Sequence, residues 1–215
     1  EIGKNWYIGE TLHSGIGQGY FLTTPLQLCL MTSQLANGGF KIQPRILVNK
    51  EDQVSNLQKF LDHKNSTPGN IMSTEDQIFN FGLQPLFRNQ ENINLVKEAM
   101  FAATNEIGGT SYRSRHKDKN FMFAGKTGSS QIKRFTEEQR EAEVKQDDIK
   151  YLERDHAWFV AFAPVNNPRY AISVLVEHGG SGSKAAAPIA SKIIKKVLQR
   201  HQTRSSHHNQ KRESL

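Results

Sequence analysis

The sequence predicts an α+β domain (α/β in some classification schemes), an antiparallel sheet flanked by helices. Three observations carry this. Two apolar runs, "AWFVAFA" from Ala157 and "YAISVLVE" from Tyr170, have strand length and composition. The link between them, Pro164-Val165-Asn166-Asn167-Pro168, is hairpin-sized, and its prolines bar strand continuation. Behind them, Ala186, Ala190, Ile193 or Ile194, and Val197 place an apolar stripe on a closing helix, with Pro188 in its first turn.

The earlier elements follow from local chemistry. In "GIGQGYFLTTPLQLCLMTSQLANGGF", Thr24 suits an N-cap, Pro25 the first helical position, and Gln27 completes a capping box. Leu26, Leu28, Cys29, Leu30, Met31 and Leu35 make this helix apolar nearly all round, which predicts burial, and Asn37-Gly38-Gly39 stops it. "FKIQPRILV" alternates like a strand interrupted by Pro44, so an edge or surface strand is expected. Residues 50 to 90 are polar and uninformative beyond a turn at Pro68-Gly69. Ile93, Val96, Met100 and Ala103 mark an amphipathic helix ending before Gly108-Gly109. A charged loop then leads to Phe121-Met122-Phe123-Ala124, read as a short apolar strand. The stretch 132–155 is dense in both charge signs and reads as an exposed, partly helical insertion. Both hairpin strands are apolar on successive residues, so cover is expected on both faces of the sheet.

Composition narrows the function. The 215 residues, 36% hydrophobic and 23% charged, allow a globular body with solvated extensions. We divide them into residues 1–200 and a basic tail, 201–215, expected to be disordered. No run approaches the ~18 apolar residues of a membrane helix. The chain starts at Glu1 with no basic-then-apolar leader, so a processed product or a piece of a longer protein is expected. Cys29 is the single cysteine, so no internal disulfide forms, and its apolar setting reads as a buried small hydrophobe. The formal charge of +7 lies partly in the tail, where basic residues are not interleaved with aromatics, and no nucleic acid partner is expected. His207-His208 make no metal site by themselves, and neither a metal nor another cofactor is expected.

The chemical question sits in "FMFAGKTGSS", residues 121–130. Gly125-Lys126-Thr127 would end a nucleotide-binding P-loop, but that pattern needs a glycine where Asn120 stands. It also needs a helix after the loop, and here a charged insertion follows. Gly15, Gly17 and Gly19 mimic a nucleotide loop without a preceding strand or the later glycine. The nucleotide reading is therefore remote. Alternatively, Lys126-Thr127-Gly128 on a strand can line a cleft that binds a peptide carboxylate. The ammonium supplies charge, the hydroxyl a directional bond and the glycine close backbone approach. The next residue's N–H can then serve an oxyanion.

The neighbouring blocks decide between them. "GIGQGYFLTTPLQL", "GGTSYRSR" ahead of "FAGKTGSSQ", "RDHAWFVAFAPVNNPRYAISVLVEHGG" and "KAAAPIA" span Ile16 to about Leu198. In that order they resemble the transpeptidase domain of class B penicillin-binding proteins, within them the penicillin-binding protein 2 group of cell-wall elongation. The resemblance implies the β-lactamase/transpeptidase-like fold, present here in its C-terminal part. It implies a serine acyltransferase that cross-links peptidoglycan stem peptides ending in D-Ala-D-Ala and is trapped by β-lactams. It further implies partners in the cell-elongation machinery and an inner-membrane anchor upstream of Glu1, with the catalytic part in the periplasm. Carried onto this chain, Lys126 supplies positive potential and supports proton transfer. Thr127 holds the carboxylate, Gly128 allows backbone approach, and the Ser129 N–H furnishes half of the oxyanion hole. Position 129 is more often Thr in the family, but a backbone donor survives the change.

The same resemblance calls for Ser-x-x-Lys, where lysine activates the nucleophile, and for Ser-x-Asn. No Ser-x-Asn occurs. Ser114 to Lys117 matches Ser-x-x-Lys but lies in a charged loop, and Ser181 to Lys184 matches but follows the last strand. In the family the nucleophile lies well upstream, at a helix start. Both matches are rejected, and the chain alone is expected to be inactive. A non-catalytic remnant, or one half of a split penicillin-binding protein, is the alternative. His156 and His178 read as structural strand-end residues, and Gln18 and Tyr20 as scaffold before the buried helix.

Overall fold

The computed structural model describes residues 6–17, 19, 21–46, 85–132 and 148–213, with backbone alone at 202 and beyond 203. Gln18, Tyr20, residues 47–84 and most of the charged insertion, 133–147, lie outside the described residues, as do the side chains of His207 and His208. The elements in chain order are α1 (Ile8–Gly15), α2 (Pro25–Ala36), α3 (Gln90–Asn105), β1 (Ala124–Ser130), β2 (His156–Ala163), β3 (Tyr170–Val176) and α4 (Ala187–Glu213). A π-helical turn, Gly182–Ala186, leads into α4.

The sheet has the order β1-β2-β3 and is antiparallel throughout. β2 is central, which explains its near-continuous burial; Phe159, Ala161 and Ala163 are completely buried. Its two faces feed separate clusters. Ala157, Phe159, Ala161 and Ala163 pack with Phe123 against Ala186, Ala190, Ile194 and Leu198 of the closing turn and helix. Val160 and Phe162 pack with Ala124 against Ala36 of α2 and Met100 of α3. Truncating Phe159 to Ala would cost about 3–5 kcal/mol, because so enclosed a ring leaves a cavity that cannot collapse.

The local expectations hold in part. Thr24 caps α2 by accepting the Gln27 N–H at 3.2 Å, and Gln27 returns the bond to Thr24 N–H at 2.9 Å. Burial of α2 is one-sided, however. Thr32 and Ala36 are buried, whereas Leu26 and Met31 are 66% and 42% exposed. A helix on a single sheet face buries one stripe, whatever its sequence offers the other. In α3, Ile93 and Met100 face inward as expected, but Thr104 is fully buried and Val96 is exposed. The strand expected at Phe121–Ala124 begins three residues later, at Ala124, and carries the Lys-Thr-Gly itself. Phe121 instead closes a 3-10 turn. Residues 41–46 form no strand; Phe40 makes one isolated bridge to Pro85, consistent with the interruption at Pro44. Helix α4 runs to Glu213, through the segment expected to be a disordered tail. Neither glycine nor proline occurs after Pro188 to stop it.

Candidate active site

β1 pairs with β2 in the register Lys126↔Val160, Thr127↔Phe159, Gly128↔Trp158 and Ser129↔Ala157. Opposed residues share a face, so Lys126 and Gly128 project on the α2/α3 side and Thr127 and Ser129 on the α4 side. Lys126, Gly128 and Ser129 are exposed and Thr127 is half-buried, so this end of the strand is an open wall.

Its backbone is equally informative. The Gly125 N–H is bonded not to β2 but to the Thr104 hydroxyl, at 3.1 Å. In an antiparallel ladder the direction of the backbone groups alternates by residue. The N–H and C=O groups of Gly125, Thr127 and Ser129 therefore all point to the outer edge of β1. Lys126 Nζ already donates to one of them, the Thr127 carbonyl, at 2.7 Å. The Thr127 hydroxyl donates to the Thr110 hydroxyl at 3.2 Å, and Ser129 Oγ reaches the Gly180 carbonyl at 3.4 Å. An edge bearing outward-facing strand backbone, an ammonium and a hydroxyl fits an extended peptide with a carboxylate end.

Glycine is required on both sides of this wall. A Cβ on Gly125 would meet the Phe159 ring and the Val160 carbonyl, at 2.8 Å from the latter. One on Gly182 would lie 2.6 Å from the Gly128 carbonyl, so the π-helical turn rests on the strand backbone itself.

The C-terminal end of α3 holds the outer edge, where among the described residues no fourth strand pairs. Thr104 accepts the Gly125 N–H and also meets Ser111 Oγ at 3.2 Å. Asn105 Nδ2 donates to the Phe123 carbonyl at 3.0 Å. Ser111, 1% exposed, donates to the Ala103 carbonyl at 3.0 Å and ties the following loop to the helix. Sequence reasoning assigned no role to Thr104, Asn105, Thr110 or Ser111. Thr110 and Ser111 lie in the block "GGTSYRSR" that carried the resemblance, and small polar residues, Thr104 and Asn105 among them, flank Gly108-Gly109.

The rejected serines can now be placed. Ser114 ends a 3-10 turn, and its carbonyl accepts the Ser191 hydroxyl at 2.7 Å. Ser191 also lies 3.0 Å from His116 Nε2. Because its single proton goes to Ser114, the imidazole must be the donor there, and this Ser–His contact pins a loop instead of activating a nucleophile. Ser181 precedes the π-helical turn, with Lys184 exposed to solvent and not enclosed beside it. A third Ser-x-x-Lys spacing, Ser130 to Lys133, escapes the sequence reading above. Ser130 is the last residue of a strand and not the start of a helix, and Lys133 lies outside the described residues.

His156 and His178 form a strand-end pair: the His178 N–H donates to His156 Nδ1 at 2.9 Å, with ring centroids 4.9 Å apart. That bond helps to hold His178 at a φ of 54°, a left-handed backbone that a non-glycine residue adopts only with support. Among the described residues no group of three or more His, Cys, Asp or Glu could hold a metal, and no helix is long and apolar enough to cross a membrane. Burial pushes the Cys29 thiol upward, partly offset by the Ser173 backbone and the Ser33 hydroxyl. A cavity of about 580 Å³ lies between α3 and the β2–β3 turn, lined by Lys97, Phe101, Phe162 and Val165, and does not include the wall residues.

Known proteins share this fold. The family model described as the penicillin binding protein transpeptidase domain matches residues 2–195. The chain is 34% identical over 191 residues to the peptidoglycan D,D-transpeptidase MrdA of Salmonella typhimurium, covering 89% of this chain and 27% of that protein. It is 30% identical over 197 residues to the Haemophilus influenzae protein of the same name, covering 89% and 26%. The chain thus spans about a quarter of the length of these relatives. Among solved structures it is similar to Helicobacter pylori PBP2 in complex with MreC, with a TM-score of 0.62 and 28% identity, covering 91% of this chain and 28% of that one. Pseudomonas aeruginosa PBP2, in complex with WCK 5153, gives a TM-score of 0.57 and 31% identity, covering 89% and 33%. The likeness supports the α+β transpeptidase fold, and the family match takes in nearly every element described. The chain belongs to the penicillin-binding protein transpeptidase domain family.

Proposed function

We propose that the chain is the C-terminal portion of a peptidoglycan D,D-transpeptidase of the elongation type and forms one wall of its active site. The observation that carries this reading is the outer edge of β1, where the Thr127 and Ser129 backbone groups, Lys126 and the Thr127 hydroxyl converge. A stem peptide ending in D-Ala-D-Ala aligns along that edge. Thr127 and Lys126 take its carboxylate, and Gly128 lets the backbones approach. The Ser129 N–H faces the penultimate carbonyl as its oxygen gains charge. A serine nucleophile with its activating lysine attacks that carbonyl, the terminal D-Ala leaves, and the acyl group passes to an amine of a neighbouring strand. β-Lactams enter the same place and remain as the acyl-enzyme.

The serine and lysine come from polypeptide beyond these 215 residues, because no Ser-x-x-Lys here combines a helix start with a buried lysine. That polypeptide is either the upstream part of one protein or the other half of a split one, and the same absence supports both. Location on the periplasmic side of the inner membrane, with an anchor outside this segment, goes with the reading. So does contact with elongation partners, as the Helicobacter pylori relative is bound to MreC.

A fluorescent penicillin tests it. The chain alone is expected to take up no covalent label. Label should appear when an upstream transpeptidase fragment bearing Ser-x-x-Lys is supplied, and Lys126→Ala should abolish it. Stable labelling of the isolated chain would refute the missing nucleophile. Failure to label in any combination would favour a non-catalytic remnant.

A further inference from the structure

The wall reading gives the carboxylate one hydroxyl, that of Thr127, yet the structure places a second beside it. Thr110 is exposed, and its hydroxyl oxygen stands 3.2 Å from that of Thr127. We infer that Thr110 is a carboxylate-binding residue, forming with Thr127 a paired-hydroxyl subsite for the free carboxylate of a peptide ending in D-Ala-D-Ala. The inference rests on the proposed role of the Lys-Thr-Gly wall and adds a residue to it.

Three features of the structure support the pair. First, proton count: Thr127 donates its single hydroxyl proton to Thr110 in the free wall. A carboxylate accepts only, so Thr127 must turn its proton outward when one arrives. Thr110, no longer an acceptor, then presents its own proton to Thr127 or to the second carboxylate oxygen. Both hydroxyls then have partners, and the carboxylate meets two donors where a lone threonine offers one.

Second, the pair is preorganised. Thr110 precedes Ser111, whose N–H and hydroxyl both bond the Ala103 carbonyl, each at 3.0 Å. Gly109 packs so closely on α3 that a Cβ there would lie 2.5 Å from the Ala103 carbonyl. The loop on the other side of Thr110 is therefore held as well. Ser111 touches Thr104, and Thr104 holds Gly125, two residues before Thr127. One buried network thus positions both hydroxyls, and little ordering remains for binding. Third, although Lys126 leaves the strand on the other face, its Nζ reaches round to the Thr127 carbonyl at 2.7 Å and so brings positive charge to the same edge.

The test uses the whole 215-residue chain and isotope-edited NMR. It is titrated with N-acetyl-D-alanyl-D-alanine, with the C-terminal amide of that dipeptide, and in parallel with benzylpenicillin. Thr110→Val should weaken the two carboxylates about tenfold, the loss of one charge-assisted hydrogen bond, and leave the amide unchanged. Thr110→Ser, which keeps the hydroxyl, should bind within about twofold of the parent. An equal loss for acid and amide would overturn the inference, because it would mark a general effect on the loop. Unchanged affinity in Thr110→Val, with loss in Thr127→Val, would overturn it while leaving the wall reading intact. A loss confined to benzylpenicillin would overturn the peptide assignment. Absence of any shift at Thr127 in the parent chain would remove the wall reading and the inference together.

Discussion

Replacing Thr104 with Val is the sharpest probe of how this wall is held. The two side chains are nearly isosteric, so the cavity term is small, and the change removes only the hydroxyl. That hydroxyl accepts the Gly125 N–H at 3.1 Å, meets Ser111 Oγ at 3.2 Å and lies 3.4 Å from the Gly125 carbonyl. Both residues are buried, so water cannot replace the lost acceptor. Ser111 keeps the Ala103 carbonyl, so the orphan is the Gly125 N–H. An unsatisfied buried donor costs about 1–3 kcal/mol. Thr104→Ser keeps the hydroxyl and loses one methyl, about 0.8 kcal/mol of burial. Equilibrium urea denaturation followed by tryptophan fluorescence should therefore rank parent, Ser, Val in falling stability. With a slope of about 2 kcal/mol/M, Val should lower the midpoint by roughly 1 M. Amide exchange at Gly125 should accelerate in Val and not in Ser. A Val variant as stable as the parent, or a Ser variant clearly worse than Val, would refute the idea that α3 substitutes for a missing strand at this edge.

Two further outcomes are expected from the same geometry. Gly125→Ala should destabilise by about 1–3 kcal/mol in urea, because its Cβ meets the Phe159 ring and backbone within the enclosed sheet; a neutral effect would mean the strands can part freely there. Cys29, raised by burial, should react with iodoacetamide at pH 8 more slowly than an unfolded control. The sign for stability follows: the folded thiol ionises later than the unfolded one, so the contribution is complete below the unfolded pKa and declines as pH rises past it. A folded-state rate equal to the control would contradict that shift.

Much was legible in local sequence because local chemistry decides it. Thr24, Pro25 and Gln27 set the start of α2 within four residues, and the two apolar runs around Pro164–Pro168 specify a hairpin whatever surrounds them. The Lys-Thr-Gly also stood apart from a P-loop, by Asn120 and by the charged stretch that follows it. Where several elements compete for one surface, the sequence was ambiguous. Leu26 and Met31 looked like core residues, and only the packing of α2 on a single sheet face turned them outward. Phe121–Ala124 had strand composition, yet strand pairing starts at Ala124, where the ladder to Phe162 begins.

Alone, the sequence determined the family and singled out Lys126 to Ser129 as the candidate wall. The tertiary structure decided which way that wall faces and what holds it. Thr104 and Gly125 are 21 residues apart, and Thr110 and Thr127 are 17 apart. A hydroxyl bond between such residues leaves no periodic trace in the chain. It exists because α3 lies along the outer edge of β1, where buried backbone groups need partners and no fourth strand among the described residues supplies them.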